Sequence, residues 1–235
     1  MIKKQLGIIG GMGPLASAIF YERITESTKA SNDQSHMNII ISSHATLPDR
    51  TKLILKGDGQ PFLDAVEQDL KLMEFANVDY LAIPCNTAHY FYEQVQEKTS
   101  IPIIHMVEET MLEIIHSYGK NQKVGILATS GTIQSKVYEK YASKFGLELI
   151  VPNQSDQQLV MDAIYSIKAG KFDYLERFEQ LVKKMNEQYS CVVTILACTE
   201  LSLFELRKEF KNLTIDAMDV LVKQCITKCG YEVKE

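Results

Sequence analysis

The amino-acid sequence predicts an α/β fold: two pseudo-symmetric three-layer α/β domains with mainly parallel sheets and an active-site cleft between them. Three observations support this fold class. Short apolar runs without polar alternation, typical of strands buried on both faces, alternate with segments of helical periodicity. The pattern restarts near residue 122, so the two halves have a similar order of elements. Each half also contains a late buried strand that ends in a cysteine.

The first half begins with a strand, a glycine-rich turn and a helix. That helix begins at Pro14, which is well placed because an N–H in the first turn has no partner within the helix. Apolar residues recur at helical spacing over 62–73 and over 107–118, where Gly119 is a suitable stop. The strands predicted in this half are 6–9, 38–42, 80–83 and 101–104.

The second half repeats this order after residue 122. A strand is followed by a short stretch of Ser, Thr and Gly and then by a helix whose apolar residues lie within 137–145. Two further helices carry apolar stripes over 160–167 and 175–185, and a last helix ends the chain. The strands predicted here are 124–128, 147–151, 191–197 and a short one near 214–215.

The composition excludes several classes of protein. The chain has 235 residues, of which 46% are hydrophobic and 23% charged, as in a globular protein and unlike a disordered one. Its net charge of −5 predicts no nucleic acid and no anionic membrane as partner. No apolar run approaches 18 residues and the N-terminus lacks the pattern of a secretion signal, so we expect a cytoplasmic protein.

Two of the five cysteines stand at matching places in the two halves. Cys85 and Cys198 each end a buried strand, and the carboxyl ends of parallel strands border the ligand crevice of an open α/β sheet. We therefore expect both thiols to face a crevice, each beside a helix start that stabilises a thiolate. Asn86, Thr87 and Thr199 follow them, and either cap those helices or bind a substrate.

The other three cysteines have a simpler interpretation. Cys191 lies inside an apolar strand, and Cys225 and Cys229 are one helical turn apart, so we interpret all three as packing residues. An odd number of cysteines in a long chain argues against a disulfide scaffold. A zinc site built on Cys85 and His89 would lack the paired spacing of structural zinc sites, and we expect none.

The turn after the first strand, Gly11-Met12-Gly13-Pro14-Leu15-Ala16, matches G-x-G-x-x-A and has three interpretations. A dinucleotide site is disfavoured, because no acidic residue stands at the end of the second strand. A carboxylate-binding turn with exposed N–H groups at a helix N-terminus is favoured. A turn needed only for packing stays open.

Two opposed thiols indicate acid–base chemistry at a carbon atom. One thiolate can remove a proton from one face of a substrate while the opposite thiol delivers a proton to the other face, which inverts a stereocentre. Acyl transfer would need one cysteine paired with a histidine, and no histidine is tied by spacing to either cysteine. A disulfide exchange enzyme would instead carry its thiols in contact, usually as Cys-x-x-Cys.

Four motifs together resemble the aspartate/glutamate racemase family, whose members need no pyridoxal phosphate. They occur in the order of the family and span nearly the whole chain. Within the superfamily the chain is most similar to aspartate racemases, including those of broader aspartate/glutamate specificity. The motifs are Gly10-Gly11-Met12-Gly13-Pro14, Leu47-Pro48-Asp49-Arg50-Thr51, Pro84-Cys85-Asn86-Thr87-Ala88-His89 and Ala197-Cys198-Thr199-Glu200-Leu201.

The resemblance assigns roles to residues. It implies that Cys85 and Cys198 are the two acid/base residues and that Arg50 and Lys168 bind substrate carboxylates. Glu200 is counted among the substrate-binding residues and is also the nearest candidate to assist Cys198. It implies two domains, 1–100 with 212–235 and 101–211, the C-terminal strand and helix returning to the first. Further residues at positions that line the cleft in such enzymes are Met12, Asn86, Thr87, Ser130, Gly131, Thr132 and Thr199.

The resemblance further implies racemization of aspartate, with glutamate an open alternative, by a homodimer that needs no cofactor and no metal. Glutamate racemases of the cell wall typically have an acidic-Ser-Gly turn and a Thr-His pair after the second cysteine, and this chain has neither. Two alternatives stay open. One is a lyase, decarboxylase or isomerase of the same superfamily that acts on a small dicarboxylate through a single cysteine. The other is a two-lobed binding module without catalysis.

Overall fold

The computed structural model describes residues 3–234 and contains two four-stranded parallel sheets. The strands are β1 (Leu6–Gly10), β2 (Ile39–Ser43), β3 (Tyr80–Ala82), β4 (Ile103–Ile104), β5 (Lys123–Ala128), β6 (Glu148–Ile150), β7 (Val193–Ala197) and β8 (Thr214–Asp216). The first sheet has the order β2-β1-β3-β4 and the second the order β6-β5-β7-β8. Both sheets therefore have the same connectivity, and the predicted fold class is confirmed.

Helices cover these sheets, as expected for parallel strands joined by crossovers. Several begin at a side-chain cap: the Asp49 carboxylate accepts the Lys52 N–H, and the Asn153 amide oxygen accepts the Asp156 N–H. Among residues 3–234, none of the helices has the length and hydropathy needed to cross a bilayer. The helices are α1 (Pro14–Ser27), α2 (Arg50–Lys56), α3 (Gln60–Phe75), α4 (Tyr92–Gln96), α5 (Met106–Tyr118), α6 (Ser130–Gln134), α7 (Val137–Phe145), α8 (Gln154–Lys168), α9 (Leu175–Glu187), α10 (Lys208–Lys211) and α11 (Ala217–Lys228).

The two sheets share one hydrophobic core. Every residue of β1 and of β7 is buried, because these strands have a neighbour on each side and helices above and below. A single cluster of buried side chains contains Ile8 of the first sheet, Ile126 and Ile195 of the second, and Met111 and Leu221 from helices α5 and α11. Since α5 and α11 pack against each other, these helices join the two halves of the molecule.

Two short strands lie in the sheet opposite to the one that the predicted domain division assigns. Strand β4 pairs with β3 and completes the first sheet, although the division placed it within 101–211. Strand β8 pairs with β7 in the second sheet, although the division placed it within 212–235. Helix α11 after β8 packs on α1 and also against β3 and β4. The chain therefore returns to the first half only with helix α11, after β8. The division into two domains stays a prediction.

The glycine-rich turn after β1 is shaped by a close approach to the loop after β2. Gly11 has φ +89°, and a Cβ atom there would lie 2.4 Å from the backbone carbon of His44. The Ser17 hydroxyl accepts the Gly11 N–H at 2.9 Å and donates to the Gly13 carbonyl at 3.0 Å. Only glycine fits at position 11, because the backbone conformation there is left-handed and no space is left for a Cβ atom. This agrees with the interpretation of the turn as one needed for packing.

The segments after the two cysteines differ from the predicted helix starts. Cys85 is followed by a 3₁₀ helix, Asn86–Phe91, and the next α-helix is only α4. After Cys198 the chain forms a turn and the three-residue 3₁₀ helix Leu201–Leu203. The expected helix start is therefore wrong for Cys198, which is followed only by a turn and one 3₁₀ turn, whereas after Cys85 the 3₁₀ helix continues directly into α4.

Candidate active site

The two cysteines line one small cavity where the two halves of the molecule meet. The cavity measures about 30 Å³ and lies beyond the carboxyl ends of β3, β5 and β7. Its lining residues are Met12, Asp49, Arg50, Thr51, Cys85, Asn86, Thr87, Thr129, Lys168, Cys198, Thr199 and Glu200. Both sulfur atoms belong to free cysteines, and each residue is only 6% exposed. The prediction that each half contributes one thiol to a shared crevice describes this geometry.

Three predicted cleft residues lie beside the cavity without lining it. The Ser130 N–H donates to the Met161 sulfur at 3.2 Å. Gly131 packs so closely on α2 that an added Cβ atom would lie 2.6 Å from the Thr51 hydroxyl oxygen. Thr132 is 1% exposed and forms hydrogen bonds with other threonines. Gly131 and Thr132 therefore contact the first half next to the cavity, whereas Ser130 contacts α8 of its own half.

Three threonine hydroxyls connect the halves directly behind the cavity. Thr87, which follows β3, lies 3.1 Å from the Thr129 hydroxyl oxygen and 2.8 Å from that of Thr132. Thr129 and Thr132 are themselves 3.0 Å apart. Because each hydroxyl has one proton and accepts others, the three groups can satisfy one another in a ring. This ring fixes the segment after Cys85 relative to the segment after β5.

Cys198 has a charged surrounding. Its sulfur donates to Glu200 Oε2 at 3.0 Å, and Glu200 Oε1 lies 3.5 Å from Lys168 Nζ. Burial and the Glu200 carboxylate raise the pKa of the Cys198 thiol well above its ordinary value, against the opposing effect of Lys168. Burial is the largest effect on Lys168 and disfavours its charge, but Glu200 and the two cavity cysteines together outweigh it, so the pKa of the ammonium group is raised. Cys198 is therefore a protonated thiol beside an ion pair.

Two donors at the cavity have no protein acceptor. Arg50 Nη1 donates to the carbonyls of Leu47 at 3.1 Å and Pro48 at 2.7 Å, while its buried Nε has no hydrogen-bond partner within residues 3–234. The Asn86 amide oxygen accepts the Tyr138 hydroxyl, and its buried Nδ2 likewise lacks a partner in the described chain. Since unsatisfied buried donors are costly, both atoms indicate an acceptor group of a ligand.

His89 does not act as a base toward Cys85. The Met106 N–H donates to its Nε2 at 3.1 Å, so the proton of the neutral ring is on Nδ1, which donates to the Cys85 carbonyl at 3.0 Å. Burial lowers the pKa of His89 to about 4, which keeps the ring neutral. The histidine therefore supports the backbone of Cys85 and does not approach its thiol as a proton acceptor.

Comparison with known proteins agrees with this geometry. A family model described as Asp/Glu/Hydantoin racemase matches residues 9–225. The chain belongs to this family. The resemblance found in the sequence motifs is thus confirmed, and so is the predicted class of enzyme, an amino-acid racemase.

Several relatives are similar over nearly their whole length. The broad specificity amino-acid racemase RacX of Bacillus subtilis (strain 168) is 31% identical over 229 residues, which cover 95% of this chain and 97% of that protein. Picrophilus torridus aspartate racemase has a TM-score of 0.83 and 26% identity, covering 98% and 96% of the two chains. Glutamate racemase from Campylobacter jejuni subsp. jejuni, with a TM-score of 0.65, 20% identity and coverage of 98% and 88%, shares the fold.

The sequence interpretation of this family member missed three lining residues. Asp49 and Thr51 flank Arg50 within a motif that was already singled out, and their adjacency was the available signal. Thr129 follows β5 directly, so the rule that placed Cys85 and Cys198 at strand ends would also have found it. The predicted sheet therefore already contained the information that the residue after β5 lies at the cavity.

Proposed function

We propose that the protein racemizes an acidic amino acid, aspartate or glutamate, by proton transfer between the α-carbon and the thiols of Cys85 and Cys198, without pyridoxal phosphate. The observation that carries this proposal is the cavity itself. Two free, buried thiols from equivalent strand ends of the two halves line one small space together with two cations. The RacX and aspartate racemase relatives support the same class of reaction.

The cations favour a substrate with two carboxylates. Arg50 and Lys168 approach the cavity from the first residue of α2 and the last residue of α8. The free Arg50 Nε and the free Asn86 Nδ2 can each donate to a carboxylate oxygen. We propose that Arg50 and Lys168 hold the side-chain carboxylate and that Asn86 orients the α-carboxylate.

In the proposed reaction one proton leaves the α-carbon and another arrives on its opposite face. The thiolate on one side takes the α-proton and becomes a thiol, leaving the electron pair on the substrate. The thiol on the other side then donates its proton to that carbon and becomes the thiolate. Each turnover thus exchanges the protonation states of Cys85 and Cys198, and the reverse reaction restores them.

The small size of the cavity suggests how the site would help to remove the α-proton of the substrate. A space of about 30 Å³ holds one or two water molecules, so substrate must widen it on entry. A second cavity of about 400 Å³ adjoins it and shares Met12, Arg50, Lys168 and Glu200. Entry from that side and closure around the substrate would exclude water, which strengthens the contacts of the cations with the developing negative charge.

The test is incubation of the purified protein, with no added cofactor, with L- and D-aspartate and L- and D-glutamate in deuterium oxide. Chiral chromatography with mass detection should show inversion of at least one pair and deuterium at the α-carbon. Exchange or decomposition without inversion would favour the single-cysteine lyase, decarboxylase or isomerase. Tight binding of an amino acid with neither exchange nor inversion would contradict catalysis and favour a binding module.

A further inference from the structure

One acceptor atom at the cavity is left without a hydrogen bond. Glu200 is 4% exposed, and its Oε1 has no hydrogen-bond partner in residues 3–234. Its other oxygen, Oε2, already accepts the Cys198 thiol. A buried carboxylate oxygen without a donor is costly, so the vacant bonding capacity indicates a donor group supplied by a ligand.

The neighbours of this oxygen show the charge of the missing donor. Lys168 Nζ forms an ion pair with this oxygen at 3.5 Å but no hydrogen bond, so Oε1 already lies in a cationic environment and can still accept a hydrogen bond. Oε1 also faces Gly13, where an added Cβ would lie 3.2 Å from it, so the absence of a side chain at this position leaves space beside the oxygen. Asp49 also lines the cavity, but it is exposed and its carboxylate caps α2. Glu200 is thus the buried carboxylate available to a cationic group.

We propose that Glu200 Oε1 binds the α-ammonium group of the substrate. The inference rests on the proposed function, since it takes the ligand to be an amino acid. The three buried atoms without hydrogen-bond partners then match the groups of a zwitterionic amino acid. Arg50 Nε and Asn86 Nδ2 can donate to its carboxylates, and Glu200 Oε1 can accept from its ammonium group. With bound aspartate, the charges of Arg50, Lys168 and the ammonium would face Glu200 and the two substrate carboxylates.

This contact has a chemical consequence for the reaction. A carboxylate beside the α-ammonium keeps it protonated, and a positive charge next to the α-carbon makes the α-proton more acidic. Glu200 also holds the Cys198 sulfur through its second oxygen. The Glu200 side chain would therefore bind the substrate ammonium with one oxygen and the Cys198 thiol with the other. This fixes the distance between the ammonium group and the thiol.

The test compares two ligands that differ at the ammonium group. L-aspartate and succinate are titrated calorimetrically into the Cys85→Ser protein, where turnover is blocked, and into the same protein carrying Glu200→Gln. Glu205→Gln, an exposed glutamate five residues away, is the matched control. We expect Glu200→Gln to weaken aspartate binding about 10- to 100-fold, in line with a charged hydrogen bond. Succinate binding should stay unchanged or tighten, and Glu205→Gln should change neither.

Two results would overturn the inference while leaving the proposed function intact. Equal weakening of both ligands, or of neither, would mean that Glu200 does not contact the ammonium. A second arm needs no variant at Glu200: if succinate binds the Cys85→Ser protein as tightly as aspartate does, the ammonium contributes nothing and the inference fails. By contrast, wild-type protein that neither inverts nor exchanges any acidic amino acid would refute the proposed function itself.

Discussion

The strand ends that hold Cys85 and Cys198 are equivalent in backbone and different in chemistry. Each follows the third strand of its sheet along the chain and faces the same cavity. The Cys198 sulfur donates to the buried Glu200 carboxylate, which lies beside Lys168. Cys85 is followed in the chain by Asn86 and Thr87, whose side chains form hydrogen bonds with the neutral hydroxyls of Tyr138 and Thr129. The repeated sheet topology therefore brings both thiols to the same cavity, while the neighbouring side chains give each thiol a different electrostatic environment.

This difference bears on the two directions of racemization. A reversible two-base reaction needs each thiol as base in one direction and as acid in the other. Because burial and Glu200 raise the pKa of Cys198, it is suited to donate a proton in the free enzyme. Among residues 3–234, the Cys85 thiol has no hydrogen bond to a carboxylate like the one between Cys198 and Glu200. In the proposed two-base reaction the two enantiomers would therefore meet thiols in different electrostatic surroundings, and changes at either thiol test this difference.

The largest effect is expected from removing either thiol. Cys85→Ser and Cys198→Ser should each lower racemization of aspartate about 10²- to 10⁴-fold, because a serine hydroxyl is a much weaker acid than a thiol. Enantiomer ratios after timed incubation measure the loss. Cys191→Ser removes another buried free thiol, outside the cavity, and should keep the rate. Full activity of either cavity variant would refute the two-base mechanism.

The next effect concerns the cation at the cavity. Arg50→Lys should lower kcat/KM for dicarboxylic substrates about 10- to 100-fold, since lysine cannot reproduce the fork of donors that Arg50 directs at two carbonyls and the cavity. Steady-state kinetics with L-aspartate provides the measurement. Arg177→Lys, an exposed arginine on α9, should leave kcat/KM unchanged. An unchanged value for Arg50→Lys would remove Arg50 from the site.

A smaller effect tests the electrostatic difference between the thiols. Glu200→Gln removes a negative charge from Cys198, so its raised pKa should fall and more thiolate should exist at any pH below that pKa. We expect iodoacetamide to alkylate Cys198 several-fold faster at pH 8 in this variant, as measured by peptide mass spectrometry. Alkylation of Cys85 serves as the internal reference. An equal increase at both cysteines would indicate a general loosening of the cavity.

The smallest effect concerns the contact that joins the halves. Thr132→Val removes one of three mutually bonded hydroxyls and should lower the free energy of unfolding by about 1–2 kcal/mol. Urea unfolding followed by circular dichroism measures it. Thr227→Val, whose exposed hydroxyl bonds only within its own helix, should cost less. Equal losses for both variants would mean that the threonine ring adds no stability.

Much of this architecture was predictable from apolar runs, because all eight strands appear close to the predicted ranges. The sheet that each short strand joins was not predictable. Strands β4 and β8 each pair over only two or three residues, and buried parallel strands lack the alternation that fixes a register. Both cysteines and most of the other lining residues follow from strand ends and motifs, whereas Ser130, Gly131 and Thr132 were predicted to line the cavity and do not.

The electrostatics of the cavity lay beyond the sequence. Glu200 stands two residues after Cys198, yet the sequence does not show that one oxygen binds the thiol while the other lacks a donor. That outcome depends on how the segment after β7 turns as a 3₁₀ helix in place of the longer helix that was expected. Hydrogen-bond vacancies are properties of three-dimensional packing and leave no pattern along the chain.

In the proposed mechanism two separate bases, one from each half, face opposite sides of the α-carbon. Deuterium incorporation early in the conversion of L-aspartate in deuterium oxide distinguishes two bases from one. With two bases, the first D-aspartate formed should carry deuterium at the α-carbon, while the remaining L-aspartate stays protonated. Equal early labelling of both enantiomers, or D-aspartate that retains the original proton, would mean a single base and would contradict the account.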